Sequence, residues 1–365
     1  MSLDQGKAIV VTYPDEFAKN EIAELAKAAG YQVDEIITQR EIVRSEYGVG
    51  VGKAQELEQM VAAKGSDTII VDESITSAQA NKLSGVTHVK VVDRERLILD
   101  IFARRANTTE AKLQVKLAEL RYELPRAKDT IRAVLNVEQP GFSGGGATAV
   151  EIQFRALKRQ MVFIKEKLEK RRTVRDVHTR ERRKLGVPFV SLAGYTSSGK
   201  TTLFNRLASE SKEISPNLFT TLTTTTRMVT LAGSKDKVLL SDTVGFISRL
   251  PTYLVESFKS TLEELNYADL ILLVVDVSEP YESIRTKLSS CRETLSDLEV
   301  DPGKILLVLN KIDLLDSSAR RTVTMDPLFK DYSSVSVSAV RGDGLRLLRN
   351  QVVGRTRLAQ RKHAR

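Results

Sequence analysis

Short apolar runs punctuate the first hundred residues. Lys7-Ala-Ile-Val-Val-Thr-Tyr13, Tyr31-Gln-Val-Asp-Glu-Ile-Ile37, Asp67-Thr-Ile-Ile-Val71 and His88-Val-Lys-Val-Val92 have the length and composition of strands. The stretches between them, such as Glu16 to Ala29 and Lys53 to Ala63, carry helical spacing. Strand and helix in alternation predict a parallel sheet covered by helices. From Arg94 to Lys184 the period is helical throughout. Leu97, Leu99, Ile101 and Phe102 lead into Glu110 to Tyr122, where Leu113, Leu117 and Leu120 form one stripe. Pro125 is expected to end or kink that helix. A second helix is predicted from about Thr148 to Lys184, with Ile152, Leu157, Met161, Ile164 and Leu168 apolar. Pro140-Gly-Phe-Ser-Gly-Gly-Gly-Ala147 between them has loop chemistry, so an antiparallel hairpin follows.

The α/β alternation returns after Gly186. Val187 to Ala193, Lys237 to Asp242, Leu270 to Asp276 and Lys304 to Asn310 read as buried strands, with Val335 to Ala339 closing the series. The predicted fold is therefore α/β in three parts. An N-terminal parallel-sheet domain covers 1–100, a long helical hairpin 101–185, and a doubly wound, mostly parallel C-terminal domain 186–354, followed by a basic tail over 355–365.

Charge adds a partner class to this picture. The chain of 365 residues carries a formal +9, and residues 151–184 alone hold thirteen Lys/Arg against five Asp/Glu. Beyond Leu168, Glu169-Lys-Arg-Arg-Thr-Val-Arg175 and Thr179-Arg-Glu-Arg-Arg-Lys184 place cations around most of the helix, and five more lie between Arg355 and Arg365. A charge run is commonly a solvated face, but an excess this one-sided fits a nucleic-acid surface better. No aromatic RNA-recognition set or zinc spacing accompanies it, which points to backbone contact and shape. The longest apolar run, near Leu270 to Val275, is too short for a membrane span. Asp4 and Lys7 lead straight into a strand, unlike a signal peptide. The single cysteine, Cys291, forms no internal disulfide and reads as a buried small hydrophobe in a reducing, cytoplasmic setting.

The chemistry gathers in the third part. Gly194-Tyr195-Thr196-Ser197-Ser198-Gly199-Lys200-Thr201 fits G-x-x-x-x-G-K-S/T, preceded by a strand and followed by Thr202-Leu-Phe-Asn-Arg-Leu-Ala208 at helical spacing. Glycines at both ends permit angles that a side chain forbids, and the loop N–H groups with the helix N-terminus face an anion. Lys200 reaches β- and γ-phosphates, and the Thr201 hydroxyl is a Mg²⁺ ligand. Asp242 ends a strand, where it can hold Mg²⁺ through water, and Thr243-Val244-Gly245 brings the Gly245 N–H to a γ-phosphate. In Asn310-Lys311-Ile312-Asp313, the Asp313 carboxylate accepts the N1–H and N2–H of guanine. Ser338-Ala339 fits the loop that closes over the base. Gly48, Gly50 and Gly52 before Lys53 are read as a tight strand-to-helix turn, a second nucleotide site being the alternative.

GYTSSGKT, a threonine-rich switch, DTVG, NKID and SA stand in the order of the translation-factor-like P-loop GTPases. Within them, DTVGFI followed by Leu250-Pro251 resembles the HflX family, as do Phe219-Thr220-Thr221-Leu222, Leu97 to Arg104 and Glu110 to Ala118. The resemblance spans nearly the whole chain. It implies a GTPase that binds GTP and GDP, requires Mg²⁺, and docks on the large ribosomal subunit through its N-terminal region and ribosomal RNA. Some members split or rescue stalled ribosomes. It places the switch Mg²⁺ ligand at Thr221, with Thr220 the adjacent alternative, and makes Lys200, Thr221 and Gly245 the catalytic set. Phe246 stands where many GTPases carry a water-orienting glutamine, so slow intrinsic turnover is expected. Two features depart from relatives: Gly144-Gly-Gly-Ala-Thr-Ala-Val-Glu151 replaces a longer glycine motif, and Ser197 stands where Asn, tied to potassium stimulation, is frequent. A monomer is expected. A regulatory switch acting on a protein partner and an RNA-processing accessory GTPase are the competing readings.

Overall fold

β-branched and aliphatic runs build two parallel sheets, each with its own helices. A computed structural model describes residues 6–43, 45–137, 145–184, 186–208, 225–231, 237–258, 262 and 264–363. The chain divides into two compact units, Met1–Glu169 and Lys170–Arg365.

The first unit runs β1 (Lys7–Thr12), α1 (Glu16–Ala28), β2 (Gln32–Thr38), α2 (Val51–Lys64), β3 (Thr68–Val71), α3 (Ser77–Thr87), β4 (Lys90–Asp93) and α4 (Arg94–Arg105). All four strands are parallel, in the order β2-β1-β3-β4. Ile9, Val11, Leu57, Ile69, Val71 and Leu83 are buried together in its core. The helix starts are set by local chemistry. Asp15 accepts the Ala18 N–H, Thr76 and Gln79 form a reciprocal capping box, and Asp93 accepts the Arg96 N–H.

The long helices are α5 (Thr109–Val137) and α6 (Gly145–Lys184). Of the two outcomes expected at Pro125, an end is not the one found: α5 passes through it. The residues around the proline account for this. Tyr122 and Arg126 both bind the Asp93 carboxylate, at 3.0 and 2.5 Å, and the Arg126 guanidinium stacks 3.5 Å over the Tyr122 ring. Anchors on both sides of Pro125 hold the helix across the missing N–H. Helix α6 starts at Gly145, slightly before the expected Thr148, and the rest of the expected loop, 140–144, lies outside the described residues. The two stripes meet except at Ile152, which is exposed: Leu113, Leu117 and Leu120 of α5 pack with Leu157, Met161, Ile164 and Leu168 of α6.

The second unit runs β5 (Phe189–Gly194), α7 (Lys200–Ala208), β6 (Thr225–Thr230), β7 (Lys237–Asp242), α8 (Thr252–Ser257), α9 (Glu264–Tyr267), β8 (Leu270–Asp276), α10 (Tyr281–Asp297), β9 (Ile305–Asn310), α11 (Ser317–Thr324), β10 (Ser334–Ser336) and α12 (Leu345–His363). The strand order is β10-β9-β8-β5-β7-β6, and only β6 is antiparallel. Strand β6 was not foreseen, because Thr-Thr-Arg-Met-Val-Thr lacks a continuous apolar run and pairs only as an edge. Helix α12 continues through the basic segment after Gly354 as far as His363. Among the described residues, no helix is long and apolar enough to cross a membrane.

Candidate functional site

In an open α/β sheet, side chains and loops at the carboxyl ends of the strands converge where the strand order reverses. Strand β5 lies between β7 and β8, so its carboxyl end is such a point. The chain leaves β5 at Gly194, with φ +143; a methyl there would stand 2.3 Å from the Val274 carbonyl oxygen. Ser197 adopts φ +61, and Gly199 adopts φ +92 beside Asn310. Helix α7 then begins at Lys200, so the loop wraps the N-terminus of that helix.

Lys200 is buried, and desolvation lowers its pKa to about 8 against the raising effect of Asp242. Its ammonium donates to the Tyr195 carbonyl at 2.7 Å. The Thr201 hydroxyl donates to the Asp242 carboxylate at 2.9 Å. Thr202 follows on α7, half-buried. Asp242 and Thr243 are fully buried. The Thr243 hydroxyl is committed to the Leu192 carbonyl at 2.6 Å, which fixes the end of β7 against β5. Val244 is buried, and Gly245 comes close enough to Lys200 that a methyl on it would lie 3.1 Å from Nζ.

The second half of the site comes from β9 and the segment after β10. Asn310 is an internal brace: its amide donates to the Ser198 carbonyl at 2.9 Å, and its carbonyl accepts the Ala339 N–H at 3.0 Å. One side chain thus ties the phosphate loop to the loop after β10. Lys311 takes φ +68 and pairs with Asp276 at 2.5 Å. Asp313 is half-buried, and a hydrogen bond with Ser338 holds its carboxyl below the usual range. Ser338 is itself buried, with its hydroxyl accepting the Arg341 N–H at 2.9 Å.

The structure therefore brings together Gly194 to Thr201, Asp242 to Gly245, Asn310, Lys311, Asp313, Ser338 and Ala339. Phe219, Thr220 and Thr221 lie outside the described residues. Two participants escaped the sequence reading. Asp276 ends β8 as Asp242 ends β7, and that repeated carboxylate at a strand end was the available signal. The Tyr195 hydroxyl, which accepts the Ser248 N–H at 2.6 Å, had none. Phe246 holds its ring in the core, 2% exposed, so the residue following Gly245 directs its side chain into the protein. Cys291 is buried in α10, and burial pushes its thiol up to about 12, as suits a packing residue.

The Gly199 geometry yields a test. A methyl there would lie 2.3 Å from the Asn310 amide nitrogen in a left-handed conformation. Gly199→Ala should displace the Asn310 brace at a cost of about 2–4 kcal/mol. Expected outcomes are a thermal midpoint lower by several degrees and nucleotide affinity reduced more than tenfold, read by a melt and by a fluorescent-nucleotide titration. An unchanged affinity would show that the brace does not shape the site.

In the first unit, the carboxyl ends of β1, β3 and β4 are filled by internal pairs. Arg94 is buried between Asp72 at 2.6 Å and Glu21 at 2.7 Å, and the Thr12 hydroxyl donates to Asp72 at 2.5 Å. Gly48 has φ +72 with Ile75 packed where a Cβ would stand, and Gly50 caps α2. These positions have the backbone geometry of a turn.

A family model described as GTP-binding GTPase N-terminal matches residues 17–103, one described as GTP-binding GTPase Middle Region matches 105–183, and one described as 50S ribosome-binding GTPase matches 189–311. GTPase HflX of Methanocaldococcus jannaschii is 37% identical over 94% of this chain and 85% of its own. GTPase HflX of Thermococcus kodakarensis is 40% identical over 83% of this chain and 68% of its own. GTPase HflX of Escherichia coli is 38% identical over 81% of this chain and 69% of its own. A crystal structure of a GTP-binding protein from Sulfolobus solfataricus in complex with GDP aligns with a TM-score of 0.52 and 26% identity, covering 96% of this chain and 99% of that one.

Proposed function

The chain belongs to the GTPase HflX family and is a GTP-hydrolysing enzyme, and we propose that its hydrolysis is coupled to the large ribosomal subunit. The observation that carries this reading is the surface of α6. Arg155, Lys158, Arg159, Lys165, Lys167, Lys170 and Arg171 are all exposed, against Glu151, Glu166 and Glu169. Phe163 and Val162 are exposed among them, and Lys167 stands 4.2 Å from the Phe163 ring centroid. Cations with an open aromatic ring suit phosphate backbone and an unstacked base. The match of 189–311 to a model described as 50S ribosome-binding GTPase supports the same partner.

In this reading residues 1–100 and the hairpin 101–185 dock on ribosomal RNA, while 186–354 bind GTP or GDP. The enzyme is a cytoplasmic monomer and serves ribosome splitting, rescue or assembly. The phosphates lie on the N–H groups of Gly194 to Thr202, with Lys200 on the β- and γ-phosphates and Gly245 on the γ-phosphate. The guanine meets Asp313, with Asn310, Lys311, Ser338 and Ala339 shaping its slot. The fit for Mg²⁺ rests on the donor set: the Thr201 hydroxyl and the Asp242 carboxylate are hard oxygens 2.9 Å apart. Thr201 would ligate the ion directly, Asp242 through water, and Thr221, outside the described residues, from the switch. When bound, the ion would neutralise charge on the phosphoryl oxygens. With the Phe246 ring buried, that position offers no side chain to orient water, and intrinsic turnover is slow.

The test is GTP hydrolysis with and without purified large subunits at two salt concentrations. Stimulation that falls steeply with salt is expected, and Lys165→Glu/Lys167→Glu/Lys170→Glu should reduce the salt slope by about three. Full hydrolysis of free GTP without any stimulation would favour a switch acting on a protein partner.

A further inference from the structure

We infer that Asp276 is a positioning residue for the nucleoside: it tethers the Lys311 side chain in the guanine slot, so that losing the tether weakens GTP and GDP alike. The inference rests on the base lying against Lys311 and Asp313, as proposed above. Strands β8 and β9 run parallel and in register, with Asp276 opposite Asn310. The Val277 N–H donates to the Asn310 carbonyl at 3.1 Å. Asp276 therefore stands beside the point at which β9 gives way to the turn that carries Lys311 and Asp313.

Both oxygens of the Asp276 carboxylate are engaged. Oδ1 accepts the Ser278 N–H at 3.0 Å and the Ser278 hydroxyl at 2.6 Å, which fixes the orientation of the group. Oδ2 lies 2.5 Å from the Lys311 ammonium. The Asp276 side chain is 5% exposed and that of Lys311 32%, so the pair is partly withdrawn from water and escapes the screening that makes surface pairs weak. A lysine stem left to itself samples many rotamers, and ordering it against a ligand costs entropy. With its ammonium tied down, the Lys311 stem is an apolar surface already in place for a purine ring.

The rest of the turn has anchors of its own. The Ile312 N–H donates to the Val337 carbonyl at 3.3 Å, and the Leu314 N–H donates to the Lys311 carbonyl at 3.0 Å. The Asp313 carboxyl is held by Ser338. What Asp276 holds is therefore the side chain of Lys311, while the reading of the guanine amino group is left to Asp313. The tether acts at the base end of the site, which GTP and GDP share.

Asp276→Asn in the full chain keeps an oxygen for Ser278 and puts an amide where the ammonium needs a carboxylate. Titration with GDP and with a non-hydrolysable GTP analogue should show both bound about tenfold more weakly, the worth of one charge-assisted bond. The loss should appear as faster dissociation. The ratio of GTP to inosine triphosphate affinity should hold, because inosine lacks only the amino group that Asp313 reads. Lys311→Met should cost about as much, and Asp276→Asn added to Lys311→Met should cost nothing further. A carboxylate that served only the turn after β8 would cost as much with methionine as with lysine. Ser278→Ala removes one of the bonds that aim the carboxylate and serves if Asp276→Asn fails to fold. It should weaken GDP by about threefold with Lys311 present and not at all with Lys311→Met. Parental affinities in Asp276→Asn or Ser278→Ala, equal losses in both backgrounds, or a collapsed inosine ratio would each overturn the tether. Asp313→Asn, measured alongside, separates the two levels. If it leaves selectivity for GTP unaltered, the placement of the base is wrong; if it alters selectivity while Asp276→Asn binds like the parent, only the tether is wrong.

Discussion

Asp313→Asn is expected to weaken GTP binding by about a hundredfold and to bring xanthosine triphosphate into use. The carboxyl is held ionised by its hydrogen bond with Ser338, and Arg341 and Arg320 also lower its pKa. An ionised carboxylate only accepts, so it pairs with two ring-edge donors at once, the N1–H and N2–H of guanine. Adenine offers neither donor in that arrangement. The asparagine amide keeps one acceptor and gains a donor, which opposes the guanine amino group and matches the oxygen of xanthine. Ser338 keeps its place, since its hydroxyl accepts the Arg341 N–H and its carbonyl the Gly342 N–H. Steady-state hydrolysis with both nucleotides reads the switch. Unchanged selectivity for GTP would remove Asp313 from the base site.

The parts of this protein legible in its sequence are those whose physics is local. Gly194 and Gly199 announce themselves because left-handed backbone next to a neighbouring chain tolerates little else. The buried strands β8 and β9 are continuous apolar runs, and each ends in the polar residue that faces the site, Asp276 and Asn310. The rest was decided by distant residues. Pro125 is expected to end or kink a helix, and the helix continues where Asp93, thirty-two positions away, anchors both sides of it. Strand β6 exists because β7 offers an edge, not because its own residues demand a strand. The Asn310 brace and the bond from the Ser248 N–H to the Tyr195 hydroxyl each join a side chain to backbone more than fifty residues away, so no spacing rule could find them. The motif residues were readable; the wiring between them was not.

Lys200→Ala is the substitution expected to cost most. Lys200 is the cation that the loop holds within reach of the phosphates, and it is already desolvated, since its pKa is lowered to about 8 by burial. A phosphate oxygen that reaches such an ammonium gains a charge-assisted bond without first stripping the lysine of its hydration. Removing one partner of a buried charge pair costs about 3–5 kcal/mol, which is a loss of about two to four orders of magnitude in affinity for GTP and GDP alike. The fold should survive, because the hydrophobic cluster around Leu203, Phe204 and Leu207 on the same helix is untouched. Lys200→Arg should fare little better: the pocket is closed by Gly245 and Thr196, and a planar guanidinium is wider than the ammonium it replaces. Isothermal titration with GDP, together with a thermal melt, checks both variants. Full GDP affinity in a folded Lys200→Ala protein would show that the phosphates lie elsewhere, and the assignment built on Gly194 to Thr201 would fall with it.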